Sequence, residues 1–389
     1  MSTVEIEAGQ LAGTVQVPPS KSAAHRYLIA AALAGGGQVH NLGDSQDLRA
    51  TRTCLERLKE AGEELPLLDC GESGSTLRFL IPVALALRGG GRFTGHGRLM
   101  ERPLGPYEKL FREKGLKWER EDQVLTVAGQ LSPGVYSLPG DVSSQFVTGL
   151  LFALPLLPGD SEIRLTSPLE SEGYVDMTLE ALEQFGIQVE REGYQRFSIR
   201  GGQSWTPREV TVPGDWSQGA IWYAANFLDH QVKIEGLDPA SSQGDKVVAA
   251  YYWKLARPGD RELDVSQCPD LAPALGAMAA LARGTTRLTG AGRLRLKESD
   301  RLSAIAQTIN CLGGRAEEGA DSLTVHGVKE LEGGCTVSSH NDHRIAMMAA
   351  ILATRCRKPV RVTQMECVEK SYPQFWEHFK LLGGKIHVL

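Results

Sequence analysis

LPGDVSSQFVTGLLFALPLL (residues 138–157) has a counterpart in VPGDWSQGAIWYAANFLDHQ (212–231), and the likeness decides how the chain is built. Each reads as a strand end, a Pro-Gly-Asp turn and a helix of small and apolar residues. Four further segments share the form: VPPSKSAAHRYLIAAALAGG (17–36), DCGESGSTLRFLIPVALALRGG (69–90), SQCPDLAPALGAMAALARGT (266–285) and SSHNDHRIAMMAAILATRCR (338–357). A short β-like run follows each, such as QVHNL (38–42) or VRVTQM (360–365). In most, a second and more polar helix comes next and ends in Gly, as in LERLKEAG (55–62), LEALEQFG (179–186) and FWEHFKLLGG (375–384). Gly just past a helix is a C-terminal stop.

Anchored at Lys21, Gly74, Ser143, Ser217, Asp270 and Asp342, the copies step by 53, 69, 74, 53 and 72 residues. The short step recurs at copies one and four, so the six form two sets of three. The expected fold is α/β, with two similar domains of three βαβαββ-type repeats each, an inverse α/β barrel of β-prism-like form. The near-identical turns mark where the chain crosses between domains, near 17–20 and 212–215. One domain then spans 21–211, and the other joins 1–20 to 212–389, with an active site expected in the cleft between them. Copies one and four are each expected to lack an outer strand pair, around 62–68 and 238–262.

Composition narrows the functions. With 389 residues, 42% hydrophobic, 23% charged and a net charge of −5, the chain suits a globular protein of two domains. A mildly acidic chain is poorly suited to nonspecific nucleic-acid binding. The seven cysteines are scattered without a Cys-x-x-Cys, which points to free thiols in a reducing compartment. MSTVEIEAGQ (1–10) has no signal-peptide core, and GLLFALPLLPG (149–159) is too short and too broken by proline to span a membrane. A cytoplasmic location is expected.

The chemistry gathers at helix starts. Lys21, Ser22 and Arg26 open the first copy; Ser73, Gly74, Ser75 and Arg78 the second; Ser143, Ser144 and Gln145 the third; Asp342, His343 and Arg344 the sixth. Hydroxyls and free N–H groups at a helix N-terminus make an anion site. Ser and Asp there also serve as plain N-caps, but capping needs no cation. The second helices repeat the theme with Arg98 and Arg102, with Ser171 and Tyr174, and with Glu369 and Lys370. RLKESDRLSAIA (295–306) crowds Arg295, Lys297 and Arg301 with Glu298 and Asp300 at the start of one helix. The helix dipole disfavours cations at that end. Several small anions held at once would explain them, since guanidinium forks suit carboxylate and phosphate. Asp270 and Glu298 stand among these cations as proton acceptor and donor, with Lys21 a third group able to move a proton.

Familiar machinery is missing. PPSKS lacks the glycines of a P-loop, GHGRLM and GAGRLR fail the dinucleotide fingerprint, and HNDH is no zinc motif. No metal, nucleotide or flavin is indicated.

PPSKSAAHR (18–26), ESGSTLRFL (72–80), RPLG (102–105), DVSSQF (141–146), LKESDRL (296–302), NDHRIAM (341–347) and EKSYPQF (369–375), in that order, resemble the family of 5-enolpyruvylshikimate-3-phosphate synthases. The resemblance implies six βαβαββ units in two domains and no cofactor. It also implies transfer of the enolpyruvyl group of phosphoenolpyruvate to the 5-hydroxyl of shikimate 3-phosphate, through a tetrahedral intermediate, in aromatic amino-acid biosynthesis. By the same resemblance Lys21, Ser22, Arg26, Ser143, Ser144, Gln145, Ser171, Asp270 and Lys297 hold shikimate 3-phosphate. Lys21, Gly74, Arg102, Gln145, Arg301, Arg344 and Lys370 hold phosphoenolpyruvate. Asp270 serves the 5-hydroxyl, and Glu298, assisted by Lys21, the C3 proton. Gly74 implies sensitivity to glyphosate. His25 and Glu72 depart from the family's usual Asn. A monomer is expected, with no nucleic-acid or membrane partner. The sister transferase acting on UDP-N-acetylglucosamine normally has a reactive Cys in the loop matching GHGRLMERPLG (95–105), which has none here. A non-catalytic scaffold would need no Asp or Glu among the cations.

Overall fold

The computed structural model describes residues 2–60 and 62–389. Met1, in the expected N-terminal segment, and Ala61, inside LERLKEAG, lie outside them. The described residues form α1 (Lys21–Leu33), α2 (Gln46–Glu60), α3 (Gly74–Arg88), α4 (Gly105–Glu113), α5 (Ser144–Ala153), α6 (Glu172–Gln184), α7 (Trp216–Phe227), α8 (Val248–Ala256), α9 (Ala272–Leu281), α10 (Arg301–Cys311), α11 (His343–Ala353) and α12 (Phe375–Leu381). Odd-numbered helices open the copies, and even-numbered ones are the second helices. All eleven residues of α11 are buried, as are nine of the ten in α9. A helix apolar all round belongs inside a core. Second helices bury one face only; in α10 that face includes Leu302, Ile305 and Ile309, the stripe read from the sequence.

Sheet pairing repeats with the copies. The last strand of one copy pairs in parallel with the first strand of the next, which then takes on that copy's hairpin. Leu67–Asp69 lies beside Gly90–Thr94, then Val124–Ala128, then Lys117–Glu121. Gly134–Leu138, Ser161–Leu165, Arg196–Ile199 and Val189–Glu192 repeat the order, as do Arg261–Asp264, Thr285–Thr289, Ser322–His326 and Arg315–Glu318. In the sixth copy Thr3–Glu7 takes the hairpin place, between Val360–Thr363 and Lys385–Val388. Besides the short pair Leu331–Gly333 with Cys356–Lys358, two sheets among the described residues stop at two strands: Gln38–His40 with Glu209–Thr211, and Gln231–Glu235 with Ala12–Gln16. These are the sheets of copies one and four, which carry no hairpin. One detail differs from the sequence reading: residues 238–262 hold the second helix of copy four, α8, which has no Gly stop and ends at Arg257-Pro258-Gly259.

The chain divides into two compact units. A discontinuous unit holds the residues up to Ser20 with Pro213–Leu389, and a continuous unit holds Lys21–Val212. Each has its own apolar core. In the continuous unit α3 packs on α5, α5 on α6, and α1 on both α2 and α6.

His230, buried in the discontinuous unit, ties three elements together. Its Nδ1 accepts the N–H of Leu11 at 3.1 Å, so Nε2 carries the proton and donates to Thr354 Oγ1 at 2.7 Å. Burial, with Arg355 nearby, pushes its pKa down to about 4. Between that value and the ordinary 6.5 the unfolded chain binds a proton that the folded one does not, so stability falls as pH drops through this window. His230→Gln can keep both hydrogen bonds without titrating. Urea unfolding from pH 7 to 4 is expected to show a flatter loss of stability in this variant than in the parent.

Candidate active site

In the discontinuous unit three helix starts converge on one guanidinium. Asp300 caps α10, accepting the Ser303 N–H at 3.1 Å, and so sets Arg301 as its first residue. Asp342 caps α11 through the Arg344 N–H at 2.9 Å. Asp270 sits in the 3-10 turn Pro269–Leu271 that leads into α9. Arg301, 1% exposed, donates from Nε to Asp342 Oδ2 (2.9 Å), from one terminal nitrogen to Asp270 Oδ1 (3.0 Å), and from the other to Glu298 Oε2 (2.6 Å) and Asp342 Oδ1 (3.3 Å). Four of its five N–H donors are thereby committed. Asp270 also accepts from Lys297 Nζ at 3.2 Å and from Arg344 at 3.2 Å, so Lys, Arg and Arg share one carboxylate. Ser299 donates to Asp342 at 3.0 Å, and Lys370 Nζ donates to the Asn341 carbonyl at 2.7 Å, beside the same helix start. Arg295 stays outside this cluster, pairing with Asp300 and Glu318 near the surface.

Charge balance decides the protonation states here. Burial works against the charge on Arg301, but Asp342, Glu298 and Asp270 outweigh it and hold its pKa above the ordinary value. At Lys297 burial wins over the pull of Asp270, and the pKa falls below the usual lysine range. Asp245, which the sequence reading did not single out, is buried and accepts a hydrogen bond from Ser217 Oγ. Burial first, then the charge of Asp270, pushes its pKa up to about 7.

In the continuous unit Lys21, the first residue of α1, pairs with Asp47 at 2.7 Å. The Asp47 carbonyl in turn accepts from Thr51 and Thr76, whose hydroxyls meet at 2.6 Å. His25 Nδ1 joins Thr51 at 2.8 Å, and Thr76 reaches Ser73, the N-cap of α3, at 2.7 Å. Burial, then Lys21 and Arg26, hold the His25 pKa well below 6.5, so His25 is a neutral member of a hydroxyl chain. Gly74 follows Ser73, and a Cβ on it would lie 2.6 Å from an Arg102 terminal nitrogen, so the bare backbone there makes room for the guanidinium. Gln145 is held on both sides, accepting from Arg78 at 2.7 Å and donating to Ser75 at 3.0 Å. Ser143 caps α5, followed by the buried Ser144, and Ser171 stands at the start of α6.

Arg26 is drawn into the fold further than its sequence position suggests. It donates to Thr178 Oγ1 (2.8 Å), to the Ser22 carbonyl (2.7 Å), to the Tyr174 carbonyl (2.7 Å) and to Thr148 Oγ1 (3.4 Å), and it lies over the Phe79 ring. Burial pushes its pKa down to about 10, which leaves it charged at neutral pH.

The expected site residues thus fall into one cluster in the discontinuous unit (Asp270, Lys297, Glu298, Arg301, Arg344 and Lys370) and a linked set of helix starts in the continuous unit. Sequence reading missed Asp47, because an acid in a first turn looks like a dipole complement. Among the described residues no group of three or more His, Cys, Asp or Glu is placed to hold a metal ion, and no helix is long and apolar enough to cross a membrane.

Comparison with known proteins gives the family and the fold. The family profile described as EPSP synthase (3-phosphoshikimate 1-carboxyvinyltransferase) matches residues 6–379. Proteins named 3-phosphoshikimate 1-carboxyvinyltransferase are similar over nearly their full length. That of Clostridium beijerinckii is 41% identical over 426 aligned positions, covering 99% of this chain and 98% of the relative. That of Clostridium perfringens strain 13 is 42% identical over 423 positions, covering 99% of each. Among solved structures, EPSP synthase from Acinetobacter baumannii superposes with a TM-score of 0.80 at 24% identity over all of both chains. The enolpyruvyl transferase NikO from Streptomyces tendae gives 0.76 at 18% identity, over 100% of this chain and 99% of that one. At those identities the structures speak for the fold.

The buried pair at Arg301 makes a direct test of the cluster. Asp342→Ala removes two hydrogen bonds from a guanidinium that cannot reach water, so the variant is expected to lose about 3–5 kcal/mol of stability. Denaturant unfolding of the two proteins measures the difference.

Proposed function

The chain belongs to the family of EPSP synthases, the 3-phosphoshikimate 1-carboxyvinyltransferases, and from that premise we propose that it transfers the enolpyruvyl group of phosphoenolpyruvate to the 5-hydroxyl of shikimate 3-phosphate and releases phosphate. One observation carries the proposal beyond the name. Asp270 and Glu298 are bridged by the Arg301 guanidinium, and Lys297 and Arg344 bond the same Asp270 carboxylate. Two carboxylates among three cations supply what this reaction asks for, proton transfer beside bound anions.

In this reading Asp270 takes the proton of the 5-hydroxyl as the oxygen adds to C2 of phosphoenolpyruvate. Glu298, assisted by Lys21, delivers a proton to C3, and the tetrahedral intermediate forms. A proton then leaves the new methyl group as the C2–O bond to phosphate breaks. Lys21, Ser22, Arg26, Ser143, Ser144, Gln145, Ser171 and Lys297 hold shikimate 3-phosphate. Gly74, Arg102, Gln145, Arg301, Arg344 and Lys370 hold phosphoenolpyruvate, with Lys21 shared. The donors of Arg301 and Arg344 bond the protein's own carboxylates, so an anion that takes these donors exchanges with Asp270. That exchange returns Asp270 to its role as a base. The bare Gly74 beside Arg102 supports the assignment of a small anion there, and with it glyphosate sensitivity. No cofactor enters this scheme, and a cytoplasmic monomer without nucleic-acid or membrane partners fits an acidic chain working on small anions.

Phosphate release from phosphoenolpyruvate tests the reading, with shikimate 3-phosphate or UDP-N-acetylglucosamine as acceptor. Release with shikimate 3-phosphate alone is expected; release with the sugar nucleotide alone would transfer the chain to the sister activity. Glu298→Gln is expected to lose about 10²–10⁴-fold in kcat while still folding, with a lowered unfolding midpoint because the buried Arg301 loses one of its three carboxylate partners.

The depressed pKa of Lys297 adds a pH signature. Below that pKa the ammonium is present to hold an anion; above it the charge is gone. The KM for shikimate 3-phosphate should therefore begin to rise at a pH below the ordinary lysine range, near 10.4. In Lys297→Arg the rise should move to higher pH, because a guanidinium keeps its proton. A KM profile from pH 7 to 10.5 for both proteins distinguishes the two curves.

A further inference from the structure

All seven cysteines are free thiols, and they bring two pairs of sulfurs together. Cys54 and Cys70 are neighbours, but both are fully buried, and Cys54 Sγ donates to the Asp69 carbonyl at 3.2 Å. Cys311 and Cys335 are different. Cys311 is the last residue of α10 and is exposed, and Cys335 is half-buried just ahead of the strand Thr336–Val337. The two thiols are close enough for Cys311 to raise the pKa of Cys335. Cys311 Sγ also donates at 3.7 Å to the carbonyl of Thr336, the residue after Cys335. Backbone bonds fix both segments. The N–H groups of Glu332 and Gly333 donate to the Leu312 carbonyl at 2.9 and 3.1 Å, and that of Arg361 donates to the Cys335 carbonyl at 3.0 Å.

We propose that Cys311 and Cys335 are a redox-modification site, closing to a reversible intramolecular disulfide when a small-molecule disulfide such as glutathione disulfide is present. The Cys311 thiolate attacks one sulfur of glutathione disulfide, forming a mixed disulfide and releasing one glutathione thiolate. Cys335 then loses its proton and attacks Cys311 Sγ, and the second glutathione leaves. The protein gives up two electrons and two protons, and the oxidant becomes two glutathione molecules. Exposure sets the order: Cys311 meets the oxidant, whereas burial, followed by the neighbouring Cys311, pushes the Cys335 pKa up to about 12 and makes it the resolving thiol. Cys356, the next thiol along, is buried and donates to the Leu352 carbonyl at 3.4 Å, which keeps it out of the exchange.

The link would act on two segments that already meet elsewhere. α10 runs from Arg301 to Cys311, and the chain beyond Cys335 runs on to Asp342, the partner of Arg301. An ion pair joins these segments at one end and the disulfide would join them at the other. The inference does not depend on the proposed reaction.

The test uses the native full-length chain. It is incubated with glutathione disulfide, the residual thiols are alkylated, and intact mass and peptide mapping follow. The expected product has lost two hydrogens, carries a Cys311–Cys335 link, reverts with dithiothreitol, and unfolds at a higher temperature than the reduced protein. Cys335→Ser is expected to stop as a glutathione adduct on Cys311. Four results would overturn the proposal: an unmodified Cys311, a stable glutathione adduct on the parent protein, a link mapped to Cys54–Cys70 or Cys356, or loss of two hydrogens in Cys335→Ser.

Discussion

The arrangement rests on one buried cation. Removing a guanidinium from water costs several kcal/mol even after relaxation, and only close, well-aligned carboxylates return it. Arg301 recovers that cost from Asp342, Glu298 and Asp270 together. Each of these acids comes from a different stretch: the turn into α9, the approach to α10, and the cap of α11. The pairing therefore forms only when the fifth and sixth copies of the repeat have assembled, and it fixes the positions of three helix starts relative to one another. A lysine could not do this, since it lacks the planar fork that reaches three acids at once.

The continuous unit solves the same problem with hydroxyls. A single ion pair, Lys21 with Asp47, is backed by Thr51, Thr76, Ser73 and a neutral His25. Neutral chains of this kind position a cation without competing with a ligand for it, as a surplus of carboxylates would. The discontinuous unit instead crowds its cations with acids, so any anion that bound there would have to displace one of them. The two units thus hold their cations differently: one with an ion pair backed by neutral hydroxyls, the other with donors held by several internal carboxylates.

How much of this the sequence disclosed follows from the range of the interactions. Turns, Gly stops and helix periodicity act over a few residues, so the six copies and their order were legible in segments such as 138–157 and 212–231. Cations at helix starts were legible too, because Lys297 and Arg301 break a local rule. The partners were not. Arg344 reaches Asp270 across 74 positions and Arg26 reaches Tyr174 across 148, and no spacing encodes such pairs. Arg26 reads as a ligand-facing cation in SKSAAHR, yet four of its donors are committed within its own unit. Asp245 escaped for another reason: it precedes α8, the second helix that carries no Gly stop.

The small residues of the odd-numbered helices connect fold to site. Where α5 passes α3, a Cβ on Gly149 would lie 2.3 Å from the Tyr107 hydroxyl and 2.5 Å from the Arg78 carbonyl. Where α9 passes α10, a Cβ on Gly276 would lie 2.8 Å from Ile305. Helices that approach this closely bring their N-termini close as well, and the partial positive charges at those ends then fall on one region instead of several. Bulkier inner helices would spread the starts apart. The caps and cations would remain in the sequence, but no small anion could touch more than one of them. The two-stranded sheets fit the same logic. An alignment of 426 positions with a relative leaves at least 37 of them opposite no residue of this 389-residue chain. The sheets of copies one and four carry no hairpin, yet α1 and α7 still open those copies with their starts intact. A copy can lack its outer strands and keep its inner helix, because the start of that helix is set by its own turn rather than by the hairpin.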